Sequence, residues 1–308
     1  MSLRRKLVQT MGAAVALPSA AAAATSADRS RASARQTGRF ASDGTDICFA
    51  ESGNRTGTAV VLLHGFMVDS EANWSATRDV LGTRYRVIEM DARGHGRSGK
   101  PHSVEAYGPR LAMDAVRLLD HLQIAKAHVV GYSMGGMLAL YLAAHQAPRL
   151  HSAVLAGAGW RDPAEVAATG GNPALDLALK EAIRSGRSLP DVLVSQNAQY
   201  AELPIMKYEP IMAFYESLRR IEMDPVALKC AHDSLAAVTV EASVVKAIQL
   251  PMLLACGDRD PSLAPALKLR ELNTEAALAV VPFLGHLNSF ESDEFNQAIL
   301  GYLQRIHS

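Results

Sequence analysis

Two hydrophobic periods alternate along this chain. The run Ala59-Val60-Val61-Leu62-Leu63 is apolar throughout, as a strand covered on both faces requires. Residues 85–90, 127–130 and 151–156 read as further strands. Between them lie stretches in which apolar side chains recur at helical spacing: 74–81, 105–122 and 134–147. In the second of these, Leu111, Ala115, Leu118, Leu119 and Leu122 form one stripe. The alternation resumes late in the chain with strands at 250–256 and 276–281 and helices at 265–272 and 292–306. Ahead of it all, 38–41 and 46–51 flank the turn Ser42-Asp43-Gly44 and predict a β-hairpin, followed by a loop at 52–57. Strands alternating with helices predict an α/β fold, a mostly parallel central sheet with helices on both faces. Right-handed crossovers then bring the loops at the carboxyl ends of the strands to one edge.

The alternation breaks between Gly159 and Lys246. Strand signals nearly vanish there, and 173–184, 210–221 and 225–237 read as helices interrupted by Ser185-Gly186-Arg187 and Asp224-Pro225. The start of the chain departs in another way. Arg4-Arg5-Lys6 precede a short apolar run to Leu17, Pro18 and an alanine tract, the layout of an export signal. Residues 2–8 also resemble a twin-arginine leader, with cleavage after Ala24 or Ala27. The expected division is a signal at 1–27, a polar linker at 28–36, a core at 37–158 and 247–308, and a helical insertion at 159–246. The apolar run is too short and interrupted to span a bilayer, so the mature protein is expected to be soluble, in the periplasm or secreted.

Composition narrows the function classes. The chain has 308 residues, 49% of them hydrophobic, enough for one large α/β domain with an insertion or for two small domains. Its 31 basic and 31 acidic side chains cancel, which gives no electrostatic case for nucleic acid or an anionic membrane. Cys48, Cys230 and Cys256 are too few and too scattered for a disulfide framework or a zinc site. Oligomeric state is not legible.

Chemistry concentrates at strand ends. The strand at 127–130 runs into Gly131-Tyr132-Ser133-Met134-Gly135, and a helix starts at once. A serine on such a turn holds its hydroxyl above the sheet edge, and the N–H of Met134 points where an attacked carbonyl oxygen would gather charge. Glycines at 131 and 135 leave room where strand and helix would collide. The first of the other strand ends carries His64-Gly65-Phe66 and the next Asp91-Ala92-Arg93-Gly94-His95-Gly96-Arg97-Ser98, a glycine-punctuated turn in which an Asp and an Arg can pair. The remaining two are Gly257-Asp258-Arg259-Asp260-Pro261 and Gly285-His286.

These five motifs, in this order, resemble the α/β-hydrolase family from about Gly38 to Ile306. The resemblance implies a serine-nucleophile, esterase-like member with a helical cap and no metal or organic cofactor. It implies Ser133 as nucleophile and His286 as base. Asp260 is the implied acid, with Asp258 competing for the role, and the N–H groups of Phe66 and Met134 form the oxyanion hole. The order Ser, Asp, His is the one this family uses. Met206, Tyr208, Met212, Phe214 and Tyr215 are candidates to line the acyl pocket, although for any one of them cap core is the favoured reading. His64 and His95 are expected to pack rather than to move protons. Family dehalogenases and epoxide hydrolases use Asp at the elbow, so Ser133 argues against both. Hydrolysis of a small carboxylic ester is the expected reaction. Carbon–carbon bond hydrolysis, perhydrolysis and acyl transfer by the same triad stay open, as does a non-catalytic ligand-binding role on this fold.

Overall fold

The computed structural model describes residues 33–169, 171–197 and 211–306. Eight strands form one sheet: β1 (Ser33–Ser42), β2 (Thr45–Gly53), β3 (Ala59–Leu63), β4 (Arg86–Met90), β5 (Ala127–Tyr132), β6 (Leu150–Ala156), β7 (Met252–Gly257) and β8 (Ala277–Val281). Their spatial order is β1-β2-β4-β3-β5-β6-β7-β8. β2 runs antiparallel to both neighbours, and every pair from β4 to β8 is parallel.

The described helices are α1 (Ser70–Leu81), α2 (Pro109–His121), α3 (Met134–His145), α4 (Pro163–Thr169), α5 (Pro173–Ser185), α6 (Leu189–Asn197), α7 (Ile211–Ser217), α8 (Pro225–Ser234), α9 (Ala242–Ala247), α10 (Leu263–Leu272) and α11 (Asp293–Ile306). Because strand side chains alternate, the apolar runs split between two cores. Val61, Leu63, Val129 and Leu254 pack with α2, α3 and α10 on one face. Val60, Leu62, Val130 and Leu253 pack with Trp74 and Leu81 of α1 and with Phe295, Ile299 and Leu303 of α11 on the other. A third core lies within the insertion, where Ala178, Leu179, Ala182, Leu189, Val192, Leu193, Leu218 and Leu228 gather around Val68 from the main body.

The hairpin starts earlier than its hydrophobic pattern predicts. β1 begins at Ser33, inside the stretch expected as linker. Arg35 explains this, because it is not a solvated charge: its guanidinium lies 3.0 Å from the fully buried Glu89 of β4 and 3.1 Å from Glu71. α1 also starts early, at Ser70, because Asp69 caps it by accepting the Ala72 N–H at 2.8 Å. The helix expected at 105–122 is split. A single tight turn at Val104–Ala106 precedes Gly108, whose φ of 61° breaks the run before α2. α4, α6 and α9 have no counterpart among the predicted helices, since short segments carry too little periodicity. The leader at 1–27 lies outside the described residues. Among those residues, no helix is long and apolar enough to cross a membrane. The three cysteines are free thiols.

A buried ion pair ties the hairpin and α2 to the loop after β4. Arg93 donates through Nε to Asp114 Oδ2 at 2.7 Å and through Nη2 to Oδ1 at 2.6 Å, and both side chains are fully buried. Nη1 donates to the Ala106 carbonyl at 2.6 Å, while the Ser42 hydroxyl donates to Asp114 at 2.5 Å. Asp114→Ala would strand a buried guanidinium, so the urea midpoint should fall by the equivalent of about 3–5 kcal/mol. An unchanged midpoint would show that the pair contributes nothing.

Candidate active site

Ser133 stands between β5 and α3 in a conformation serine rarely adopts, with φ 53° and ψ −111°. Holding it there costs about 1–3 kcal/mol, which the surrounding packing must offset. The glycines are obligatory for that packing. A Cβ on Gly131 would lie 1.9 Å from the Gly135 carbonyl oxygen, and one on Gly135 would lie 1.9 Å from that of Leu63. The turn is also pinned by the Ser133 N–H, which donates to Ala156 O at 2.8 Å.

The structure brings Ser133, His286 and Asp260 together from the ends of β5, β8 and β7. The Ser133 Oγ lies 2.9 Å from His286 Nε2, and both oxygens of Asp260 lie 3.0 Å from His286 Nδ1. An Nδ1–H facing a carboxylate makes Nε2 the acceptor for the serine proton. The Asp260 side chain is fully buried, and its Oδ1 accepts the Ser262 N–H at 2.7 Å. Asp258 is exposed, and its N–H donates to Val281 O at 3.0 Å. The loops after β7 and β8 are joined where the Arg259 N–H donates to Leu284 O at 3.0 Å. Tyr132 lies beneath the imidazole and donates its hydroxyl to the His286 carbonyl at 2.5 Å.

The loop after β3 passes beside the serine. A Cβ on Gly65 would lie 3.5 Å from the Ser133 Cβ, and the Gly65 N–H donates to Asn73 Oδ1 at 2.8 Å. His64 holds the loop from behind. Its Nε2 accepts the Ala92 N–H at 2.9 Å, so its proton is on Nδ1, which donates to Gly65 O at 2.7 Å. Gly65 O and the Phe66 N–H belong to one trans peptide, and anchoring the carbonyl on one side turns the N–H to the other. Burial pushes the His64 imidazole below its usual range and, with His64 as neighbour, takes His95 down to about 3. Both rings are therefore neutral packing groups at neutral pH. Burial alone would raise the Asp91 carboxyl, but bonds from Arg97 and Ser70 and the nearby His64 hold it at about 2. Asp91 pairs with Arg97 at 2.9 Å, and Arg93 turns to Asp114 instead.

The pocket candidates fare differently. Met206 and Tyr208 lie outside the described residues. Phe214 and Tyr215 pack on the insertion's own core, and Met212 is half-buried on the same helix. Asn73 carries no sequence signal, and the partners of His64 and Tyr132, the Ala92 N–H and the His286 carbonyl, are set only by the fold. Among the described residues, Asp176, His232 and Asp233 offer metal-type ligand atoms close together. Lys229 Nζ, 3.1 Å from Asp176 and 2.5 Å from Asp233, already supplies the cation there.

Residues 58–171 match the family model for the alpha/beta hydrolase fold. The architecture is shared by an enol-lactonase from Burkholderia xenovorans, with a TM-score of 0.71 and 23% identity over 87% of this chain and 100% of that one. The chain has the α/β-hydrolase fold. Among curated relatives of this chain is the dihydrolipoyllysine-residue acetyltransferase component of an acetoin cleaving system from Pseudomonas putida. The two are 30% identical over 264 residues, which is 83% of this chain and 66% of that protein, just short of two thirds. Another is 3-oxoadipate enol-lactonase 1 of Acinetobacter baylyi, 28% identical over 220 residues, 68% of this chain and 74% of that one.

Proposed function

We propose that this α/β hydrolase is a serine hydrolase that opens a small carboxylic ester or lactone through an acyl-enzyme on Ser133. The observation that carries the reading is the continuous relay of 2.9 Å and 3.0 Å contacts from Ser133 through His286 to Asp260. In it, His286 Nε2 takes the hydroxyl proton as Oγ attacks the carbonyl carbon, and Asp260 orients the imidazole and stabilises its charged form. The N–H groups of Phe66 and Met134 hold the oxygen as it gains charge, an interaction stronger in the transition state than in the ground state. His286 then returns the proton to the departing alkoxide, and a water activated by the same imidazole releases the acid. Residues 159–246 act as a cap that excludes water and selects the acyl group.

Lactone opening is included because two relatives are named as enol-lactonases. Acyl transfer is the second reading, favoured by the acetyltransferase name of the Pseudomonas putida relative. It differs only in the acceptor that takes the acyl group from Ser133. Purified protein incubated with p-nitrophenyl acetate, an enol-lactone and a dienone, each with and without an added thiol or alcohol, separates these chemistries. Release of free acid from ester or lactone supports the proposal. An acylated acceptor formed in preference to free acid favours transfer. Turnover of the dienone alone overturns ester hydrolysis.

A further inference from the structure

Four aromatic rings run in file from beneath the oxyanion loop into the insertion. His64 meets His95 with ring centroids 5.3 Å apart and planes at 62°. His95 meets Phe66 at 5.0 Å and 82°, and Phe66 meets His232 at 6.2 Å and 74°. Each contact is edge-to-face within the range where such pairs attract by about 0.5–1.5 kcal/mol beyond their buried area. The first two rings belong to the main body. The last belongs to α8 of the insertion, where His232 is buried. The backbone that continues from Phe66 is tied to the same unit. Val68 is buried in the insertion's core, Met67 packs on it, and Met67 holds a positive φ of 66°.

We infer that His232 is a positioning residue for the oxyanion hole, acting through the Phe66 ring so that the docked insertion holds the Phe66 N–H in place. The inference rests on the assignment of that N–H as an oxyanion donor. Phe66 is gripped on one side by His95, buried in the loop after β4, and on the other by His232 of α8. α8 is itself docked on the main body. Ala231 enters the main core, His102 Nε2 meets Asp224 at 2.7 Å at the helix start, and Lys100 meets Glu222 at 3.3 Å just before it. A segment with a strained residue directly after the donor keeps one geometry only while both of its packing surfaces are present. Removing the His232 contact loosens the insertion's hold on Phe66 and lets its peptide drift, and a drift of a fraction of an ångström weakens a hydrogen bond made only in the transition state. An acyl pocket wall would act on substrate affinity instead, so the two roles separate in kinetics.

The test compares wild type with His232→Ala, His232→Phe and His232→Leu on p-nitrophenyl acetate. In His232→Ala, kcat should fall about tenfold with KM within about twofold, less than the ~10²–10³ lost when an oxyanion donor is removed outright. His232→Phe keeps a ring edge at the site and should recover most of kcat, whereas His232→Leu fills the space without a ring and should not. If His232→Ala does not fold, His232→Leu against His232→Phe carries the same comparison. Wild-type kcat in a folded Ala or Leu variant, a change confined to KM, or a Phe variant no better than Leu would each overturn the inference. Those outcomes leave wild-type esterase activity intact. A wild type without esterase activity would instead remove the functional reading on which the inference depends.

Discussion

Ser133→Ala should lower kcat for ester hydrolysis by about 10⁶-fold while leaving the fold in place. The hydroxyl is the only group removed, and it donates to His286 Nε2 at 2.9 Å. The backbone at φ 53° is held by contacts that do not involve the side chain: the Ser133 N–H on Ala156 O and the close approach of Gly131 to Gly135. Loss of one hydrogen bond to a half-buried ring changes stability by about 1 kcal/mol, a few degrees in Tm at most. A serine-directed fluorophosphonate should therefore label the wild type and not the variant, with the two Tm values within a few degrees. Labelling of the variant at the wild-type rate would place the nucleophile elsewhere.

Asp260→Asn should cost about 10⁴-fold in kcat, the scale on which a misassigned imidazole tautomer damages a serine triad. A carboxylate only accepts, so it keeps the His286 proton on Nδ1. An amide can present its NH₂ there and favour the opposite tautomer, which leaves no acceptor for the serine proton. The buried position of Asp260 and its 3.0 Å contacts with Nδ1 single it out over its neighbour. Asp258→Asn, two residues away and exposed, should change kcat by less than about twofold, within what an exposed charge contributes. Parallel assays of the two purified variants decide the matter. A near-wild-type rate for Asp260→Asn would show that the contact is structural.

The layered sheet was legible because it rests on local periodicity. The run at β3 is apolar on both faces, as a strand between two helix layers needs, β5 is likewise buried throughout, and the helices at α2, α5 and α11 repeat at helical spacing. What periodicity could not supply is partner choice. Arg35 looks like any linker arginine until β4 places the buried Glu89 beside it, and the strand then extends to Ser33. Phe214 and Tyr215 have the character of pocket residues, yet their packing on the core around Leu179 and Val192 comes from how α5, α6 and α7 stack.

The site divides along the same line. Gly131-Tyr132-Ser133-Met134-Gly135 states part of its own geometry, since a Cβ on Gly131 would enter the Gly135 backbone 1.9 Å away, a local demand; the demand on Gly135 comes from Leu63 of β3. By itself, therefore, the amino-acid sequence determined the alternating α/β architecture, the elbow that presents Ser133, and the chain order of serine, acid and histidine. Tertiary structure decided which arginine partners Asp91 and which rings flank Phe66, and it set Asp260, the acid the resemblance implies, against His286. Those contacts join residues far apart in the chain. Sequence spacing does not encode the distance between residues on different elements; sheet order and helix packing set it.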